Sequence, residues 1–90
     1  MKKFGKRDTI HREVRDVFRS CGWSWLDLAD VGGDCPDALV CRRGVLKLLE
    51  LKTGAAKLKP GQQQFAAEWP VIVIRSVDEA RGLASETGRT

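Results

Sequence analysis

Pro36-Asp37-Ala38-Leu39-Val40-Cys41-Arg42-Arg43-Gly44-Val45-Leu46-Lys47-Leu48-Leu49-Glu50-Leu51-Lys52 reads as two apolar strands joined by a tight turn at Arg43-Gly44. One strand opens with the Asp37 carboxylate. The other closes with Glu50 and Lys52, which stand two residues apart and therefore on one face. Pairing through that turn sets Asp37 and Glu50 near the same end of the ribbon. The run from Val45 to Leu49 has the character of a buried strand, where charge is costly unless paired or bound to metal. Two oxygen-donor carboxylates beside a lysine suit a hard divalent cation acting on a phosphodiester. A solvated strand end in which Glu50 and Lys52 merely form an ion pair accounts for the same residues.

Upstream, Ile10, Val14, Val17, Phe18 and Cys21 recur at helical spacing and predict an amphipathic helix over residues 9 to 21. Asp8 or Thr9 can cap it and Gly22 can end it. Glu13 falls along the edge of the apolar stripe, either as a rim residue or as a site residue aimed at the sheet. The segment from Trp23 to Ala29 reads as a strand with Trp23 and Trp25 on one face, where core packing is favoured over stacking on bases. Asp30 to Cys35 is a glycine-containing loop in which Asp34 is a solvated turn residue or a further ligand.

Downstream, residues 53 to 59 form a loop carrying Lys57 and Lys59, and Pro60 opens a helix through Gln62 and Phe65 to about Trp69. Pro70 to Ile74 is a short, wholly apolar strand with the character of one buried in the sheet. Ser76-Val77-Asp78-Glu79 spells a capping box for a last helix to about Ser85, followed by a frayed tail over residues 86 to 90. The expected order is α-β-β-β-α-β-α, an α/β fold with a mixed central sheet flanked by helices.

Ninety residues with 42% hydrophobic content fit one domain spanning 1 to 90 with one modest core. No stretch approaches the roughly 20 apolar residues of a membrane span. The basic start, Met1-Lys2-Lys3-Phe4-Gly5-Lys6-Arg7, lacks the apolar run of a secretion signal and reads as a basic arm. Cys21, Cys35 and Cys41 are odd in number and lack zinc-site spacing, which fits reduced thiols in a cytoplasmic protein. Sixteen Lys and Arg against 12 Asp and Glu give +4. The arm, together with Arg12, Arg15 and Arg19 along the first helix, could meet nucleic acid or simply be solvated surface.

Taken together, Lys6-Arg7-Asp8, Glu13, Gly22, Val31-Gly32-Gly33, Cys35-Pro36-Asp37, Leu49-Glu50-Leu51-Lys52, Lys57-Leu58, Pro60, Gln62, Phe65 and Arg75 to Ala80 form a recognisable set. In these residues the chain resembles the PD-(D/E)XK nuclease superfamily, and within it the small stand-alone VRR-NUC domains of phages and prophages, which are similar to Holliday-junction resolvases. The resemblance runs from about Lys6 to Ala84 and implies a restriction-endonuclease-like core. It implies Asp37 and Glu50 as Mg²⁺ or Mn²⁺ ligands with the Leu51 carbonyl, and Glu13 completing the shell, if need be through water. It further implies that Lys52 orients or activates the attacking water and that Gln62 positions substrate or metal-bound water. Two positions depart from the pattern: Ile10 stands where relatives often have Asn, and Asp34 where they often have Gly.

The expected activity is a metal-dependent, structure-selective DNA endonuclease, with Lys52 stabilising charge rather than abstracting a proton. Lys6, Arg7, Arg12, Arg15, Lys57 and Lys59 are the expected DNA-binding residues, acting on backbone phosphates. Two cuts in a branched or duplex substrate are most simply made by a homodimer. A basic DNA-binding module without cleavage and a small structural protein are the competing readings.

Overall fold

The computed structural model describes residues 5–86, with their side chains from residue 10 onward. The elements run α1 (Gly5–Ser20), β1 (Ser24–Asp27), a 3₁₀ turn (Ala29–Val31), β2 (Ala38–Arg42), β3 (Val45–Leu51), α2 (Pro60–Glu68), β4 (Val71–Ile74) and α3 (Val77–Ala84). The result is an α/β domain with three helices and one mixed sheet of order β1-β2-β3-β4. The first three strands form an antiparallel meander, and β4 joins β3 in parallel after the crossover through α2.

The meander follows from its turns. Arg42 faces Val45, so Arg43 and Gly44 form the two-residue connection. Both have left-handed φ, +53° and +82°, as a type I′ turn requires to match the twist of its strands. That register places Asp37 opposite Glu50, one step beyond the Ala38–Leu49 pair, and the Asp37 N–H donates to the Leu49 carbonyl at 2.9 Å.

Alternation along the strands sorts the side chains into two faces. Trp23, Val40, Leu49, Leu51 and Ile74 point to one side, where they bury with Val14 and Phe18 of α1 and Ala80 and Ala84 of α3. The other face carries Leu39, Leu48, Glu50, Val71 and Val73, with Leu26 and Leu46 well exposed at 56% and 63%. Both tryptophans of β1 and its approach serve the core side: Trp23 is buried, and Trp25 packs half-buried beside Phe18.

Several expectations change in detail. α1 already includes Gly5, so Asp8 and Thr9 lie within the helix rather than capping it, and Lys6 and Arg7 belong to its first turns rather than to an arm. Nothing from Gly5 to Thr9 forbids helix, and propagation adds a hydrogen bond per residue. The rest of the basic start, residues 1–4, and the tail from 87 to 90 lie outside the described residues. The far end of α1 closes as expected: Gly22 has φ +90°, the Trp23 N–H returns to Phe18 O, and the Gly22 N–H to Arg19 O, both at 3.0 Å. β1 is shorter than expected, because Leu28 leads into the 3₁₀ turn.

β4 is an edge strand, with Ile74 buried and Val71 to Val73 only half-buried. The crossover delivers it beside β3, and no further described strand pairs its outer side. Ser76 caps α3 by accepting the Glu79 N–H at 3.1 Å. The reciprocal bond to the Glu79 carboxylate comes from the Arg75 N–H at 2.6 Å, one residue earlier than a capping box would have it.

Candidate functional site

At the end of β3 the sheet, the start of α1 and the crossover loop enclose a cavity of about 250 Å³. The β2–β3 hairpin supplies Asp37, Leu51 and Lys52 to its wall, and the crossover supplies Lys59 and Gln62. Helix α1 contributes Ile10 and His11. The sequence scatters these groups from position 10 to position 62, and the fold brings them around one volume.

Asp37 is fixed by the backbone it follows. Its N–H joins the ladder, its carbonyl accepts from the Leu28 N–H at 2.9 Å, and its Oδ2 accepts from the Leu51 N–H at 2.7 Å. One carboxylate oxygen is therefore held by β3. Glu50 faces Asp37 across the strand pair but is only 4% exposed and does not line the cavity. It is reached through Gln62, whose Nε2 donates to Glu50 Oε2 at 3.4 Å. The same amide accepts the Lys59 N–H through Oε1 at 2.9 Å, satisfying one orphan donor at the start of α2. Gln62 thus ties the helix start to the acid.

Lys52 continues β3 beyond its last residue, its N–H donating to Ile74 O at 3.0 Å. Its side chain is half-buried in the cavity wall. Arg75 fixes the loop opposite, with Nη1 donating to Gly54 O at 3.1 Å and Ala56 O at 2.6 Å. Sequence reading counted Arg75 in the family resemblance but gave it no role as a loop anchor.

Glu13 is exposed on α1 and does not line the cavity, one helical turn beyond Ile10, which does. Among the expected DNA-contacting residues, Lys59 lines the cavity, Lys57 and Arg12 are exposed, and Arg15 is half-buried with its Nε 3.7 Å from Asp16. The side chains of Lys6 and Arg7 lie outside the described residues.

The two positions that depart from the expected pattern both occupy the site's border. Ile10 gives the cavity an apolar patch. Asp34 lays its carboxylate on Gly61 in the first turn of α2, close enough that a Cβ there would collide with it. Sequence reading also missed His11. The signal available was that it is the chain's single histidine, next to Ile10.

As a donor set, Asp37, Glu50 and the Leu51 carbonyl are all oxygens. Among the described residues no three His, Cys, Asp or Glu side chains gather closely enough to share an ion. Mg²⁺ is commonly held by one or two carboxylates with water completing its octahedron, so a two-acid set fits that ion. No family model, curated protein or solved structure matches this chain.

Proposed function

We propose that this protein is a metal-dependent DNA endonuclease of the PD-(D/E)XK type, with a restriction-endonuclease-like core and a resemblance to the VRR-NUC family. The observation that carries the reading is the facing placement of Asp37, the residue before β2, and Glu50 on β3, with Lys52 and Gln62 at the same strand end. Strand pairing alone would not call for two carboxylates opposite each other, where like charges are destabilising. A cation between them removes that cost.

In this reading Asp37 and Glu50, with the Leu51 carbonyl, hold Mg²⁺ or Mn²⁺, which when bound lowers the pKa of water and polarises the phosphoryl oxygen. Lys52 neutralises charge on the phosphate. Gln62 sets the orientation of Glu50 while its own helix is being capped. Lys57, Lys59, Arg12 and the basic start of α1 meet the DNA backbone, which favours shape-selective over sequence-selective binding. Branched DNA of the Holliday-junction kind is the proposed substrate, cut by a homodimer in the cytoplasm of a bacterial host of phage or prophage.

The test is a panel of end-labelled four-way junction, flap, nicked and plain duplex DNA, incubated with Mg²⁺ and with Lys52→Ala as control. Cleavage by the wild type, reduced on the order of 100-fold or more in the variant, is the expected result. DNA binding with steep salt dependence and no cleavage of any form would replace this reading with that of a basic binding module.

A further inference from the structure

His11 is a polar residue of the cavity wall with no part in the reading above. Its Nε2 is sealed from solvent and makes no hydrogen bond, yet lies 3.5 Å from Asp27 Oδ2. Among the described residues, the two other sealed side-chain atoms without a hydrogen bond are Arg15 Nε and Trp25 Nε1. Both are donors only and cannot accept a proton from the imidazole. Asp27 is therefore the acceptor in reach, and its other oxygen is already engaged by the Ala29 N–H at 2.9 Å. A separation of 3.5 Å is longer than the about 2.9 Å of a formed bond, and such pairs commonly tighten when substrate arrives. The ring packs edge-on against Trp25, centroids 5.8 Å apart at 71°.

These constraints select the tautomer with hydrogen on Nε2, directed at Asp27. Nδ1 is then left as a lone-pair acceptor on a residue that shares a cavity with Asp37 and Lys52. We propose that His11, held by Asp27, is a further catalytic residue, accepting through Nδ1 a hydrogen bond from the attacking water and aiming it at phosphorus. This role rests on the nuclease reading. Phosphodiester oxygens carry no hydrogen to donate to Nδ1, whereas water does, and water is the nucleophile.

Amide replacements separate this role from simple packing. The Asn amide overlays the Nδ1 position of histidine, and the Gln amide overlays Nε2. His11→Asn should keep kcat within about tenfold, while His11→Gln and His11→Ala should lose on the order of 100-fold, with KM nearly constant. A residue present only to satisfy Asp27 would give the opposite order, Gln outperforming Asn, and that order, or full activity in His11→Ala, overturns the proposal. A second measurement needs no activity. Because the chain has one histidine, the imidazole ¹⁵N spectrum of the full chain reads its tautomer directly. Hydrogen on Nε2 is expected; hydrogen on Nδ1 overturns the role whatever the kinetics. If the wild type cuts no DNA at all, the nuclease reading fails and takes this role with it. If the wild type cuts DNA and the variants follow the wrong order, only the role of His11 fails.

Discussion

Asp37 carries two tasks at once, and substitutions can separate them. Its Oδ2 accepts the Leu51 N–H at 2.7 Å in a half-buried setting, while the carboxylate charge is what the proposed chemistry uses. Asp37→Ala leaves that N–H without its acceptor, at a cost of about 1–3 kcal/mol. Asp37→Asn keeps an oxygen there and removes the charge. Both variants should be inactive, but thermal melting should place only the alanine variant well below wild type, by roughly 4–8 °C per kcal/mol. Equal melting temperatures would mean that the Leu51 bond contributes nothing. The meeting of Asp37, Glu50 and Lys52 at one strand end was expected from the sequence, since charge at the end of an apolar strand is conspicuous, whereas Gln62 came only with the family resemblance. That of His11 and Asp27 was not, because it depends on how α1 lies along β1, and no local pattern encodes that.

Elements are held here by a few side chains each, and two of these arrangements are open to direct test. Arg43 adopts left-handed φ at the first central position of the β2–β3 turn, a conformation that costs an ordinary L-residue roughly 1–2 kcal/mol. Asn tolerates it far better, so Arg43→Asn should raise the melting temperature by several degrees, and a fall would show that the Arg43 side chain stabilises the turn in another way. At α2, the Asp34 carboxylate sits on Gly61. Alanine in a helix is favoured over glycine by up to about 1 kcal/mol, but here its Cβ displaces Asp34. Gly61→Ala should stabilise an Asp34→Gly background and fail to do so in the wild type; additive effects in that double-mutant cycle would dissolve the contact. The strands, the Gly22 stop and the Ser76 cap could be read from period and capping chemistry. The start of α1 could not, because Asp8 and Thr9 are good caps that are equally tolerated inside a helix. Nor could the edge position of β4, since an apolar run does not say which of its sides is paired.

At the scale of the whole molecule, one sheet face is covered by α1 and α3 and the other leaves Leu26 and Leu46 open, while Lys52 and Lys59 line the cavity and Arg12, Arg15 and Arg19 lie on α1. Among the described residues no helix is long and apolar enough to cross a membrane. On the proposed nuclease reading, a protomer with one cavity of this kind would make one cut, and paired incision would require two copies. Light scattering at micromolar protein should therefore return about twice 10.0 kDa, and a mass of 10.0 kDa would remove the pairing while leaving the site's chemistry as argued.

The parallel pairing of β3 with β4 has a kinetic consequence. The three-stranded meander closes over short loops and can form early, whereas β4 must wait for a crossover of some twenty residues to find its place, and the chain entropy lost there is recovered only on docking. Gln62 and Lys59 travel on that late-arriving segment. On that order of folding, and on the proposed nuclease reading, an incompletely folded chain would carry the acids and the lysine without the enclosure that would let them act.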